Sequence, residues 1–489
     1  MNLNQLFNSA PDIRIDTLSV DSRVKSDNAL FFCLKGMVFD GHQFVDQAIQ
    51  NGAVAIVHSD PLTKSSKNVA YILVDDVLKT LNVIASRFYG NPSVALKVFS
   101  VTGTNGKSTT AKLLQYFVND FMPCGYIGTI ATEYGDVKEQ PFLTTPDVIP
   151  MHQTLRKMLD AGMKAVALEV SSHGLEQGRV LSVDFDVAIF TNLTHDHLDF
   201  HGNMENYFQA KKKLFTMLKK TGLAVVNQDD AYGKRIIATF EGNLVTYGLE
   251  HDADFFADNI ELYPDRTVFD LFIRKEKKKV KIQTNLVAVF NIYNLLGVIA
   301  SLVTYGMDLS RIVEMCKNIP QVDGRMEVLN EGQDFNVIID YAHTPDGFEK
   351  IFAYARSITP SKKKIIVVFG SAGQRDSKKR KILGEIADRY CDMIVLTEED
   401  NRSEKVLDIC SEISKGITKS NYIIIEDRYD AIRQALEIAC KNDTVLILGK
   451  GDEPYMYREF GKEDWVGDQI AAEEILRTII LNKEVCSNE

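Results

Sequence analysis

Apolar and polar positions follow two rhythms along this 489-residue chain. Leu96–Val101 is an apolar run of the kind that forms a buried strand, and Leu113, Leu114, Phe117, Val118 and Phe121 behind it share one face of a helix. Ala165–Val170, Val187–Phe190 and Leu223–Asn227 repeat the strand signal. Strands that alternate with helices predict βα units and a mostly parallel sheet from about residue 96. Asn-Ile-Pro-Gln-Val-Asp-Gly at 318–324 marks a second boundary. Beyond it, strands are predicted at Val337–Tyr341, Lys364–Phe369, Met393–Leu396, Tyr422–Ile425 and Val445–Leu448, with helical segments between them. Before residue 95 the pattern predicts strands at Ala29–Leu34 and Ala53–Val57, a helix at His42–Asn51, and a linker at Gly90-Asn-Pro-Ser93. Arg274–Lys281, lysine-rich with a single Glu, reads as an exposed edge or hairpin. There is no internal repeat and no low-complexity tract.

Charge narrows the picture. Lys and Arg number 56 against 67 Asp and Glu, a net charge of −11, which argues against a general nucleic-acid binder. The seven cysteines (33, 124, 316, 391, 410, 440 and 486) form no C-x-x-C pair and fit a reducing compartment better than a disulfide framework or a zinc site. The start, Met1-Asn-Leu-Asn-Gln, lacks the form of a signal peptide, and no apolar run approaches the ~20 residues that span a bilayer. A cytoplasmic protein without membrane insertion is expected.

The densest chemistry lies at Val101-Thr-Gly-Thr-Asn-Gly-Lys-Ser-Thr-Thr110. Strand, glycine-rich turn, Lys-Ser and helix is the layout of a phosphate-binding loop. Gly103 and Gly106 let backbone N–H groups curl around an anion, and the helix N-terminus adds partial positive charge. Lys107 would reach the terminal phosphates and Ser108 would hold Mg²⁺. The plain alternative is a strand–helix turn that happens to hold two glycines.

Other polar strand ends follow. Glu169 closes the Ala165–Val170 run and is followed by Ser171-Ser-His-Gly174. Open α/β sheets bind ligands beyond the carboxyl ends of their strands, so Glu169 and the phosphate loop are expected to share a crevice. His195-Asp-His197 is either a metal-ligand cluster or a hydrogen-bonded turn, and spacing does not choose between them. Ala210-Lys-Lys-Lys-Leu-Phe215 reads, on charge pattern, as a solvated helical face. In the last unit the polar strand ends are Asp340-Tyr-Ala-His343, Gly370–Asp376, Glu398-Glu-Asp-Asn-Arg402 and Gly449-Lys-Gly-Asp-Glu453. An active site between the phosphate-binding unit and this charged unit is expected.

Taken together, the motifs resemble the Mur ligase family, and within it the type that adds the third residue of the peptidoglycan stem peptide. Gly103-Thr-Asn-Gly-Lys-Ser108, Thr144-Thr-Pro-Asp147, Glu169-Val-Ser-Ser-His-Gly174, Asn192 to His197, Asp323-Gly-Arg-Met-Glu327 and Asp340-Tyr-Ala-His343 occur in the family's order. Each is short, but six in order are specific. The resemblance implies an α/β protein of three domains: a UDP-sugar-binding domain (1–95), a central P-loop ATPase domain with a parallel sheet (96–323), and a Rossmann-like domain that brings the amino acid (324–489). It places Ser22 and the Gly36–His42 loop at the UDP end, and Thr144, Thr145, Ser172, Gln177 and Arg179 along the UDP-sugar peptide. Gly103, Thr104, Asn105, Gly106, Lys107, Ser108 and Thr109 would cradle ATP, with Asn294, Arg325 and Asp340 near the adenine and ribose. Ser108, Glu169 and His197 would serve Mg²⁺, and Lys211 matches the lysine that the family carbamylates, against the solvated-face reading. Ala288 stands where the family has a glycine before Phe290-Asn291.

The implied reaction is ATP-driven amide formation through an acyl phosphate, joining a diamino acid to UDP-N-acetylmuramoyl-L-alanyl-D-glutamate in a monomer. Lys107, Glu169, His197 and Lys211 are the catalytic candidates. Arg375, Asp400, Arg402, Gly449 and Glu453 match positions that hold the amino acid. Diaminopimelate-specific members carry Asp-Asn-Pro-Arg; here Thr397-Glu-Glu-Asp-Asn-Arg402 keeps the arginine but has Asp400 for Asn and Asn401 for Pro. A guanidinium suits a distal carboxylate. Asp400 would weaken that preference if it paired with Arg402 or bound an ammonium directly. meso-Diaminopimelate is the favoured substrate, and L-lysine the alternative. A folylpolyglutamate synthetase would share the phosphate loop but lack the UDP domain and Thr144-Thr-Pro. A nucleotide switch would need neither Lys211 nor the charged last unit.

Overall fold

The computed structural model describes residues 1–36, 39–62, 66–263 and 265–487, with side chains as far as 481. They pack as two compact units, one of Met1–Thr102, Val118–Ala188 and Ala210–Ala224, the other of Gly103–Phe117, Ile189–Gln209 and Val225–Glu489.

The first unit opens with four parallel strands in chain order: Thr17–Ser19, Ala29–Phe32, Ala53–His58 and Ala70–Leu73. Side chains along a strand alternate between faces. Leu30 and Phe32 therefore join Leu3, Leu6 and the Val77–Phe88 helix on one side, while Ala29 and Phe31 meet Val45 and Ala48 on the other. The helix expected at His42–Asn51 begins as a 3₁₀ turn, Gly41–Phe44, capped by Asp40, and becomes α-helical only at Val45–Gln50. The linker expected at Gly90–Ser93 is instead a tight turn into a short helix, Pro92–Ala95. Pro92 and Ser93 are buried, and Ser93 Oγ lies 3.1 Å from Asp184 Oδ2.

The same unit holds a second parallel core, in which Lys97–Thr102, Ala165–Glu169 and Cys124–Ile127 lie side by side. Lys97–Thr102 pairs with Ala165–Glu169 in parallel, so both end on the same side. Two short strands, Thr132–Tyr134 and Val137–Glu139, extend it antiparallel and were not expected from the pattern.

In the second unit, Asn243–Gly248, Phe255–Leu262, Thr267–Ile273 and Lys278–Thr284 adjoin in order. The last two pair as a hairpin, with Arg274 to Lys277 in its turn, as the lysine-rich run predicts. Its other sheet runs Glu327–Leu329, Asn336–Asp340, Thr444–Leu448, Ile365–Phe369, Met393–Leu396, Tyr422–Ile424, parallel except for the first strand. All five strands predicted here are present. The helices Pro345–Ile358, Lys378–Tyr390 and Val406–Ser414 cover one face; Arg428–Ile438 and Asp468–Ser487 cover the other. The Thr444–Leu448 strand returns between the first and second parallel strands, so four carboxyl ends crowd one edge: those at Asp340, Phe369, Leu396 and Leu448. Such a switch point is where α/β sheets bind ligands.

The six described cysteines are all free thiols, five of them buried. Among the described residues no helix is long and apolar enough to cross a membrane.

Candidate active site

Chain geometry makes the glycines of the phosphate loop obligatory. Gly103 has φ +153° and Gly106 φ +84°; a Cβ would lie 1.9 Å from Thr191 Oγ1 at the first and 2.4 Å from Asn294 Oδ1 at the second. The loop is stitched to Thr191–Thr194. Thr104 N donates to Asn192 O at 2.8 Å, Asn105 N to Asn192 Oδ1 at 3.0 Å, and Thr194 N to Thr104 Oγ1 at 3.0 Å. Lys107 opens the Lys107–Phe121 helix and donates through Nζ to Gly103 O (3.1 Å) and Thr104 O (2.9 Å), curling over its own loop. Ser108 and Thr109 are buried in the first turn.

Three later segments meet this loop inside the same unit. Asn294 accepts from Thr110 Oγ1 at 3.3 Å, which puts it beside the glycine turn. Asn105 Nδ2 donates to Asp346 Oδ2 at 2.7 Å. Arg325 donates to Ser108 Oγ at 3.3 Å and sits over the Tyr341 ring, 4.2 Å from its centroid. Asp340 closes the Asn336–Asp340 strand and accepts from Met326 N and Ala342 N, both at 2.8 Å.

Side chains of the His195–His197 segment engage acidic partners. His195 Nε2 lies 3.1 Å from Asp376 Oδ2, while His197, at φ +52°, sits 3.3 Å from Asp196 Oδ2. Burial alone would raise the Asp196 carboxyl; His197, His343, Lys379 and Lys107 around it hold it well below the usual carboxylate range. His343 is driven down to about 4 by burial and by Lys379. Its Nδ1 faces Tyr341 O at 2.9 Å, and a carbonyl only accepts, so Nδ1 carries the proton of the neutral ring.

In the first unit, Glu169 is fully buried at its strand end. Oε1 accepts from Tyr126 Oη at 2.5 Å and Thr129 N at 2.9 Å, and Oε2 accepts from Thr129 Oγ1 at 3.2 Å. Thr129 Oγ1 is 3.0 Å from Thr144 Oγ1. Thr145 Oγ1 donates to Glu169 O at 3.0 Å, and Arg179 donates to Thr145 O at 2.8 Å and to Gln177 Oε1 at 2.5 Å. Ser172 is buried behind the Ser171 helix cap. Thr144, Thr145, Ser172, Gln177 and Arg179 thus form one patch with Glu169. Lys211 is 1 % exposed, whereas Lys212 and Lys213 are half-buried and Lys213 meets Glu176. The solvated-face reading therefore fails for Lys211. Ser22 Oγ donates to Gln47 Oε1 at 2.8 Å. In the Gly36–His42 loop, residues 37 and 38 lie outside the described residues. Asp40, His42 and Asp60 cluster there, but His42 Nδ1 engages Asp40 (2.6 Å), His42 Nε2 accepts from Ser59 N (3.1 Å), and Asp60 pairs with Lys35 (2.7 Å).

At the crowded edge of the second unit's six-stranded sheet, Arg402 Nη1 donates to Gly373 O at 2.8 Å and Asp400 O at 3.1 Å. The Asp400 carboxylate does not pair with Arg402: Oδ1 takes Lys450 Nζ and Tyr457 N, both at 2.9 Å. Lys450 is buried and also binds Glu453 at 2.5 Å. Gly449 N donates to Asp340 O at 3.1 Å, and Arg375 is exposed on the neighbouring loop. Burial pushes the Glu399 carboxyl up to about 7; Lys379, Arg428 and Lys450 oppose the rise and Asp400 adds to it. Lys450 and Glu399 lie in charged strand ends that the sequence marks, without being singled out there, and Tyr457 escaped sequence reasoning. Tyr457 lies in a hairpin, Tyr455–Arg458 with Gly461–Asp464, that has no apolar pattern.

Known proteins carry the same architecture. Family models match at residues 14–89 (Mur ligase family, catalytic domain), 101–302 (Mur ligase middle domain) and 324–451 (Mur ligase, glutamate ligase domain). A Geobacillus thermodenitrificans protein named UDP-N-acetylmuramoyl-L-alanyl-D-glutamate--2,6-diaminopimelate ligase is 40% identical, covering 91% of both chains. The chain belongs to the Mur ligase family. A second Mur ligase relative of the same name, from Fusobacterium nucleatum, is 40% identical over 95% of both chains. A solved structure of a ligase of that name superposes with TM-score 0.69 at 27% identity, covering 98% of this chain and 99% of that one. A Mycobacterium tuberculosis folylpolyglutamate synthase complexed with ADP and AMPPCP shares the Mur ligase fold at TM-score 0.63 and 14% identity, covering 82% of this chain and 94% of that one.

Proposed function

We propose that this Mur ligase joins meso-diaminopimelate to UDP-N-acetylmuramoyl-L-alanyl-D-glutamate at the expense of ATP. In this reading residues 1–95 receive the UDP-sugar, 96–323 the nucleotide and 324–489 the amino acid. The observation that carries the amino acid is the capture of Asp400 by Lys450 and Tyr457 N. Asp400 was the group expected to cancel Arg402. With its carboxylate engaged elsewhere, Arg402 keeps a net positive guanidinium, which suits a second carboxylate and disfavours the terminal ammonium of lysine. The names of the relatives support the same choice.

The substrate carboxylate attacks the γ-phosphorus of ATP, ADP leaves, and an acyl phosphate forms. The amine then attacks the acyl carbon and inorganic phosphate departs. Lys107, in the first helical turn behind the glycine loop, would oppose charge on the transferring phosphoryl group. Arg325, stacked on Tyr341 and reaching Ser108, would lie along the nucleotide. Ser108 and His197 of the second unit, and Glu169 of the first, each carry a donor of a kind that a hard divalent cation takes. Mg²⁺, when bound, would neutralise phosphate charge. The match of Lys211 to the lysine that the family carbamylates supports the same modification here, which would turn an ammonium into an anion able to serve a metal.

Purified protein with ATP, the UDP-sugar dipeptide and each amino acid tests this. Phosphate release should need all three, and equimolar diaminopimelate and lysine should give mainly the diaminopimelate product. Mainly lysine product overturns the amino-acid assignment. Release indifferent to amino acid overturns the ligase assignment.

A further inference from the structure

Two buried arginines stand behind the amino-acid pocket without belonging to it. Three loops build that pocket: 370–376, 397–404 and 449–453. Arg380, its side chain 2 % exposed, grips Glu404 with Nη1 (2.8 Å) and Nη2 (3.1 Å), and Nη2 also donates to Ala372 O (3.1 Å). Glu404 accepts from Gln374 N as well. Arg380 thus ties the first loop to the second. Arg428, with no exposed side-chain surface, donates to Glu398 O (3.3 Å) and Leu448 O (2.9 Å), and Asp468 neutralises it through Nε (2.7 Å) and Nη2 (2.6 Å). Arg428 thus ties the second loop to the strand end from which the third loop leaves.

Arg402 hangs between these ties. Its backbone N donates to Tyr457 O at 2.9 Å, and its Nη1 spans Gly373 O of one loop and Asp400 O of another. A guanidinium anchored on two loops is aimed only while the loops stay in register. We propose that Arg380 and Arg428 are positioning residues that hold the three loops in register, so that Arg402 meets the incoming amino acid already oriented. This rests on reading the pocket as the amino-acid site. Preorganisation of this kind lowers the ordering cost of binding, so its loss falls on affinity for that substrate.

Glu404 is 35 % exposed, so Glu404→Gln removes the charge with little risk to folding. Glu404→Gln should raise KM for diaminopimelate about tenfold while kcat and the KM values for ATP and the UDP-sugar dipeptide stay within about twofold. Glu404→Asp, which keeps the charge, should fall between. Hydrogen exchange without substrates gives a second reading. Amides of 371–376 and 400–404 should exchange about tenfold faster in Glu404→Gln, with the global thermal midpoint little changed, and those of 449–453 faster in Arg428→Lys. An unchanged diaminopimelate KM, a joint rise of all three KM values, or unchanged loop exchange overturns the proposal. A wild type that ligates no diamino acid defeats the proposed function instead, and the exchange measurement still decides the brace.

Discussion

Lys450 holds the Asp400 carboxylate at 2.9 Å, and that bond occupies the charge that could have paired with the arginine two residues along the chain. The Arg402 guanidinium therefore keeps its charge for a substrate carboxylate. Arg402→Ala should raise KM for diaminopimelate about 30- to 100-fold, the worth of a charge-assisted bidentate pair, and reduce discrimination against lysine. Competition kinetics on both proteins measures this. A wild-type preference for lysine that survives in Arg402→Ala would remove Arg402 as the reader.

Lys107 donates to two carbonyls of its own loop, bonds that water can replace. Lys107→Ala should therefore keep its circular dichroism spectrum and thermal midpoint while ligation falls at least about a thousandfold. Turnover within tenfold of wild type would refute the role.

Lys211→Ala should lose ligation and recover part of it with added short-chain carboxylic acids, which replace the anion a carbamate supplies. Intact-mass measurement under bicarbonate checks the modification directly. Absence of both rescue and added mass defeats it.

Ala288 caps the Val289–Tyr305 helix at φ +72°, ψ 145°, a conformation that glycine adopts freely and an L side chain resists. Ala288→Gly should relieve more strain than it adds in unfolded-chain entropy, a net gain of about 1 kcal/mol. Urea denaturation should show a higher midpoint at constant slope. A lower midpoint would mean that the methyl's packing outweighs the strain.

His152 is fully buried on the Val148–Asp160 helix, neither ring nitrogen has a hydrogen-bond partner among the described residues, and burial depresses it to about 4. The fold accepts only its neutral form. Its contribution to stability is complete above the unfolded value near 6.5 and is lost as pH falls from there towards 4. His343 slopes the same way. His152→Leu should flatten the fall between pH 6.5 and 4 by about 1–3 kcal/mol, read from denaturant midpoints at each pH. An unaltered slope assigns the acid sensitivity elsewhere.

Where local pattern decides structure, the chain is easy to read. The five parallel strands of the last sheet are continuous apolar runs because helices cover both faces, and the glycine turn with Lys107 is a purely local arrangement. What stayed hidden depends on separation. Asp400 meets Lys450 fifty residues on, and Arg380 meets Glu404 and Glu412, so no window along the sequence contains both partners. Arg380 did leave a trace. Leu383, Gly384 and Ala387 follow it at helical spacing and are buried, so the stripe they define runs back to position 380. Lys211 shows the opposite limit. Three adjacent lysines look alike in composition, and only helix rotation singles out the first.

Arg428 and Asp468 also constrain how this sequence can change over time. Neither has any exposed side-chain surface, and each is the other's neutralising charge. Losing one strands a buried ion at a cost of about 3–5 kcal/mol, whereas exchanging both for apolar residues can be nearly neutral. A lineage that replaces them must cross that valley or make both changes at once. Two positions forty residues apart are therefore expected to be inherited as one unit, and a survey of related chains should find them altered together or not at all.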